Sequence, residues 1–315
     1  MQDKIRKHFD SILSHLYINP LERCNLHCKI CYTRKTSPIL SENEILEFVG
    51  RYRKTHKLET ITFCGGEGFT LPYFPKLINK LVKGVRFSDS ATRARHGIFI
   101  QIITNGTIDK LSEFDDPNMV NLIVSIDGLP NYHDDNRGLG NFQKSIGFLE
   151  KAHKLGFHTE IFSVVTRQNF HQIDKFEQYL FSLLNSKLRV TYHPRKPPYY
   201  LLHHPVSNVF GETDGFDFLT DSEIVKIMKE RITFPSKELG CFQISLASDG
   251  KIFGCCEGTI PIGKMNDNIK YLSDKLKERL TIWENNNSVK NCLGCSQPDF
   301  VCGIKKYLVD LSSRT

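Results

Sequence analysis

Between residues 16 and 192, six short β-branched runs alternate with longer segments whose apolar residues recur at helical spacing. The runs are LYIN (16–19), TITF (60–63), IFIQIIT (98–104), NLIVSI (121–126), TEIFSVV (159–165) and LRVTY (188–192). Among the intervening segments, SENEILEFVGRYRK, PYFPKLINKLVK, NFQKSIGFLEKAHKLG and FHQIDKFEQYLFSLL carry a period near 3.6. Ser41, with Glu44 three residues on, opens the first of these as a capping box. Strand and helix alternating six times leave few choices. Parallel neighbours need a crossover and a helix supplies it, so the chain is expected to form an α/β parallel sheet or partial barrel. Ligands then gather at the carboxyl ends of the strands.

Two stretches interrupt the rhythm: a basic, polar loop at 84–97 and a segment at 193–219 rich in Pro, His and aromatic residues. A helix at about 221–231 follows, and then CFQISLASDGKIFGCC, which reads as a hairpin turning at Asp249-Gly250 in a type I′ turn. A last helix is expected at about 270–284. The expected organisation is a barrel over 1–205, a linker with a helix over 206–235, and a small cysteine-rich domain of hairpin plus helix over 236–315. The N-terminus has no secretory signal pattern, and no apolar run reaches the roughly 20 residues of a membrane span. A cytoplasmic location without membrane association is expected. The ten cysteines fall as three at 24–31, one at 64 and six beyond 240, which suits metal or redox chemistry better than a disulfide framework.

Cys24, Cys28 and Cys31 form a CxxxCxxC triplet just after the first strand run. Three soft thiolates on one tight loop can hold three irons of a 4Fe–4S cube and leave the fourth open to a ligand. Zinc is the alternative, with His27 inside the triplet. Further polar groups stand at successive strand ends. Cys64-Gly65-Gly66-Glu67 ends the second run, Thr104-Asn105-Gly106 the third and Ser125-Ile126-Asp127-Gly128 the fourth, with Arg137 in the loop beyond. Adjacent glycines permit close backbone approach to a ligand, and the hydroxyl, carboxylates and guanidinium suit a ribose, an ammonium and a carboxylate.

With these motifs the chain resembles the radical S-adenosylmethionine superfamily, over residues 14–195 and again over 241–303. The resemblance implies a partial (β/α)6 barrel and a 4Fe–4S cluster on Cys24, Cys28 and Cys31. It implies S-adenosylmethionine held through Gly65, Gly66, Glu67, Asn105, Ser125, Asp127 and Arg137. Glu67 would take the methionine ammonium, Ser125 the ribose and Arg137 the carboxylate. The residue before the third cysteine is usually aromatic and packs on adenine; here it is Ile30, with Tyr32 close by. The tail is similar to the twitch or SPASM region of the same superfamily, which implies an auxiliary 4Fe–4S cluster on Cys241, Cys255, Cys292 and Cys295, with a four-cysteine zinc site as the alternative. Cys256 and Cys302 are candidate hydrogen-atom donors.

The activity so implied is reductive cleavage of S-adenosylmethionine to a 5′-deoxyadenosyl radical that removes a hydrogen atom from the substrate. The run SIDGLPNYHDDNRG resembles the subgroup acting on peptides and proteins, giving oxidation, a cross-link or epimerisation. A flavodoxin or ferredoxin would be the reductant. The alternative substrate is a small molecule such as a sugar, aminocyclitol or nucleotide, covered by Arg195, Lys196, Tyr199, Tyr200, His203 and His204. A non-catalytic iron–sulfur or zinc protein binding nucleic acid through 84–97 is the reading from another class, and a basic loop is weak support for it.

Overall fold

The computed structural model describes residues 9–31, 33, 35–83, 97–184, 188–195, 215–233, 242–256 and 261–286. Six parallel strands follow the six β-branched runs: β1 (His15–Ile18), β2 (Thr60–Phe63), β3 (Phe99–Thr104), β4 (Val120–Ser125), β5 (His158–Val165) and β6 (Arg189–Pro194). They lie side by side in chain order, each paired in parallel with the next. Crossovers that always advance in one direction place their helices on one face of the sheet, which is how a barrel wall is wound. Helices between and after the strands include α1 (Glu42–Thr55), α2 (Phe74–Val82), α3 (Pro130–Arg137), α4 (Asn141–Lys154), the single turn α5 (Arg167–Phe170), α6 (Ile173–Leu184), α7 (Asp221–Glu230) and α8 (Ile269–Asn286). At the start of α1 the Ser41 hydroxyl accepts from Glu44 N at 3.3 Å, and Glu44 accepts from Ser41 N at 2.7 Å, closing the expected capping box.

Along β3 and β4 the residues alternate. Ile100, Ile102, Leu122 and Val124 are buried in the main core, whereas Gln101, Ile103, Ile123 and Ser125 on the other face are only partly covered. A fully wound barrel fills its interior with apolar layers. Here the concave face keeps polar groups: His15 Nε2 lies 2.7 Å from Thr62 Oγ1, and the Thr62 hydroxyl donates to Gln101 Oε1 at 2.6 Å. The main apolar core of the described residues packs on the helix side. There Phe69 meets Phe74, Phe114 and Phe148 edge-on, with centroids 5.6, 6.0 and 5.9 Å away, a geometry that suits the quadrupoles of the rings.

The cysteine-flanked hairpin joins this same sheet rather than building one of its own. Strand β7 (Phe242–Leu246) pairs in parallel with the free edge of β1, β8 (Lys251–Cys255) pairs antiparallel with β7, and the two-residue β9 (Gly263–Lys264) completes a nine-stranded sheet. The turn is a correction to the expected type. Gly250 N donates to Ala247 O at 3.0 Å and Gly250 alone has positive φ, +77°. The bend is therefore a type I turn closed by a left-handed glycine, whereas type I′ would require positive φ at both central residues. A second correction concerns Arg137, which ends α3 rather than lying in a loop. Its sequence PNYHDDNR is polar all round, so no apolar period announces the helix; Pro130 in the first turn starts it and Gly138, at φ +102°, stops it.

Candidate active site

The segment from Leu21 to Cys31 leaves β1 and loops over the carboxyl ends of the strands. Its path is fixed by the Gly65-Gly66 turn after β2. Gly66 N donates to Leu21 O at 2.8 Å and Glu67 N to Arg23 O at 3.0 Å. A β-carbon on Gly66 would fall 1.8 Å from the Arg23 carbonyl oxygen, and one on Gly65 1.8 Å from Asn19 Oδ1. The paired glycines thus admit the backbone of the cysteine loop, and both also line the cavity that the cysteines face. Cys24, Cys28 and Cys31 all line one cavity of about 240 Å³.

Each thiol has a polar neighbour. Leu26 N donates to Cys24 Sγ at 3.4 Å and Asn105 Nδ2 at 3.6 Å; Arg137 Nη1 lies 4.0 Å from Cys28 Sγ, and Thr33 Oγ1 3.2 Å from Cys31 Sγ. Burial pushes the Cys28 thiol up to about 11, against the pull of Arg137. Burial likewise raises Cys24. As thiols these groups are inert, so they become ligands by losing their protons to a metal. Among the described residues no three His, Cys, Asp or Glu side chains are grouped tightly enough to hold a single ion. A cube binds each thiolate through a different iron, so a wider spread of three thiols is compatible with it. Three soft donors on one loop, facing a cavity, with N–H groups at two of them and a hydroxyl at the third, fit an iron–sulfur cluster.

Glu67 is buried and lies at the cavity wall. Its carboxylate accepts from Phe69 N (3.2 Å), the Thr104 hydroxyl (3.0 Å) and Asn105 N (2.8 Å), so the turn after β2 is tied to the end of β3. Burial still raises its pKa. A carboxylate has about four acceptor directions; the Thr104 hydroxyl also lies 3.1 Å from Oε2 but has one proton to give, so three donors leave one direction for an ammonium. Asn105 reaches Asn25 Oδ1 at 2.9 Å as well as Cys24, which makes it a brace of the cysteine loop.

Ile30, Ser125 and Arg137 also line the cavity, whereas Asp127 stands behind Arg137. Asp127 accepts from Arg137 Nε at 2.6 Å and Nη2 at 3.0 Å. Burial works to raise its pKa, but the Arg137 charge and hydrogen bonds outweigh it and hold the carboxyl below the usual range. Asn136, which sequence reasoning passed over, donates to Asp127 Oδ2 at 2.7 Å, accepts from Ile30 N at 3.2 Å, and through its carbonyl accepts from Lys29 N at 3.0 Å. Its position beside Arg137 in the NRG run was the available signal.

The hairpin supplies part of the wall through Ser245, Asp249, Phe253 and Cys256. Cys255 is buried at the end of β8, opposite Phe242. Cys241, Cys292, Cys295 and Cys302 lie outside the described residues, as do Tyr32, Lys196, Tyr199, Tyr200, His203, His204 and the stretch 84–96. Arg195 is described and is buried, its guanidinium 4.6 Å from the Phe218 ring. His193, also missed from sequence, lines the cavity with its ring 5.4 Å from Phe162.

A parallel, partly wound barrel carrying a cysteine triplet over its strand ends defines a class of enzyme. The family model of the radical SAM superfamily matches residues 18–180, just over half of the chain, and the chain belongs to that superfamily. It is therefore an enzyme of a family that carries a 4Fe–4S cluster and uses S-adenosylmethionine. No curated protein sequence matches the chain at a significant level. Solved structures do. The structure of native anSMEcpe with bound AdoMet and the Kp18Cys peptide is similar with a TM-score of 0.66 at 19% identity, over 96% of this chain and 99% of that one. Streptococcus suis SuiB bound to its precursor peptide SuiA gives 0.63 at 16% identity, over 95% of this chain and 73% of the other. At such identities the likeness establishes the fold. No helix among the described residues is long and apolar enough to cross a membrane.

Proposed function

We propose that the chain modifies a residue of a peptide or protein by hydrogen-atom abstraction, with a 4Fe–4S cluster held by Cys24, Cys28 and Cys31. The observation that carries this reading is the single cavity where all three cysteines meet Glu67, Ser125 and Arg137. When bound, the cluster and S-adenosylmethionine supply the superfamily's radical chemistry. Everything else falls to the protein. The free acceptor direction of Glu67 takes the methionine ammonium, Arg137 its carboxylate, Ser125 the ribose, and Ile30 lies against the adenine. Ser245, Asp249, Phe253 and Cys256 of the hairpin line the same cavity, and in this reading they contact the substrate. Both similar structures hold peptides, which supports a peptide as the substrate class. Cys256 is the candidate donor of a returning hydrogen atom, and the tail cysteines the candidate holders of an auxiliary cluster that would carry electrons away.

Anaerobic reconstitution tests the reading. A brown protein with a broad visible band, which forms 5′-deoxyadenosine on reduction, is expected, with a peptide encoded beside its gene changing mass in the same reaction. Zinc binding with no 5′-deoxyadenosine would defeat it. If 5′-deoxyadenosine forms but only a small molecule is altered, the peptide substrate is wrong and the chemistry stands.

A further inference from the structure

We infer that Asp127 does not bind S-adenosylmethionine but aims Arg137 at it, acting as a positioning residue that selects for the cofactor's carboxylate. This rests on the proposed reading of Arg137. Oδ1 of Asp127 accepts from Arg137 Nη2 at 3.0 Å and Val164 N at 3.1 Å; Oδ2 accepts from Arg137 Nε at 2.6 Å and Asn136 Nδ2 at 2.7 Å. Four donors exhaust the roughly four acceptor directions of a carboxylate. Its side chain has no exposed surface, and it does not reach the cavity. No capacity remains for a ligand.

Arginine presents two forks, one made by Nε and Nη2 and one by Nη1 and Nη2. Asp127 occupies the first. The second faces the other way, where Nη1 lies 4.0 Å from Cys28 Sγ at the cavity wall. A planar fork held from behind by two bonds cannot swing, so it offers a bidentate seat for a carboxylate beside the cysteine loop. Asp127 is itself fixed by Val164 N of β5 and by Asn136, the residue that also holds Ile30 N. One carboxylate therefore sets the distance between the loop that would carry the cluster and the arginine that would take the cofactor's acid group.

The test uses the reconstituted enzyme and two ligands, S-adenosylmethionine and its decarboxylated analogue. Dissociation constants are read from the electron paramagnetic resonance change of the reduced cluster. In the unaltered protein the carboxylate should favour S-adenosylmethionine. In Asp127→Asn, whose amide cannot accept both arginine bonds, S-adenosylmethionine should bind at least about tenfold more weakly. The analogue should bind as before, a difference that a general loosening would not produce. Equal weakening for both ligands, or none, overturns the proposal, provided that Arg137→Ala still loses the preference. If Arg137→Ala keeps it, the reading of Arg137 fails and takes the proposal with it. Should Asp127→Asn not fold, Asp127→Glu keeps the charge but shifts the guanidinium by a methylene. It should lose the preference too, and normal preference in folded Asp127→Glu overturns the idea.

Discussion

Gly66 carries a constraint that no other side chain satisfies. A methyl group there would overlap the Arg23 carbonyl oxygen and carbon, at 1.8 and 2.5 Å, and both belong to backbone, which cannot turn aside as a flexible side chain would. Gly66→Ala must therefore push the cysteine loop outward, at a cost on the order of 1–3 kcal/mol or more. Iron content after reconstitution should fall well below that of the unaltered protein, and an unchanged iron content would show that the loop tolerates displacement. Half-buried His15 and buried His133 make stability depend on pH. Burial lowers both His15 and His133 from 6.5 to about 4. Because the folded values are depressed, the unfolded chain binds more protons between those limits. Stability is full above about 6.5 and falls as pH drops toward 4, by up to roughly 3 kcal/mol per histidine. Urea midpoints at pH 7.5, 6.5 and 5.5 should decline in order. A flat profile would mean that these rings take up protons without loss.

Among the elements, the strands were the most legible because β-branched runs bounded by polar turns need no tertiary information to be recognised. Helix α3 was not. It has no apolar stripe, and its role is to hold the cysteine loop by its last turn: Asn136 accepts from Lys29 N and Ile30 N, and Asp135 pairs with Lys29 at 2.6 Å. A contact spanning 106 positions leaves no local trace in sequence. The glycine pair and the cysteine triplet were legible as motifs, but not the fact that one accommodates the other. From this brace comes a prediction distinct from that for Asp127. Asn136→Ala removes the acceptor for Ile30 N and one donor to Asp127, but leaves the arginine pair in place. Losing a buried hydrogen bond costs about 1–3 kcal/mol, so iron should be released to a chelator roughly tenfold faster. The preference for the cofactor's carboxylate should persist. Loss of that preference with normal iron retention would place Asn136 in the wrong role.

At the scale of the whole molecule, the two ends of the described chain meet in one sheet. β1 would expose an edge if β7 did not pair with it, and Ile244 and Leu246 of β7 are buried in the same core as Leu16 and Ile18. Sequence showed a hairpin but not its destination, since edge pairing depends on which edge the barrel leaves free. Two further ties fasten the C-terminal part to α1. Arg51 donates to the backbone carbonyls of Met265 and, at 3.0 Å, Asp267; His56 Nε2 lies 2.6 Å from Ser273 Oγ. Shared core and shared sheet should make barrel and hairpin unfold together rather than as two domains. The chain's single tryptophan, Trp283, stands in α8, whereas the circular dichroism signal is dominated by the larger barrel. In urea, tryptophan fluorescence and far-ultraviolet circular dichroism should therefore trace one coincident transition. Arg51→Ala, which removes the carbonyl contacts but leaves the β1–β7 pairing, should lower the common midpoint by about 1–3 kcal/mol in stability without separating the two signals. If fluorescence changes first in the unaltered protein, α8 and its strands form an independent unit. The hairpin wall of the cavity could then open while the cysteine loop stays in place.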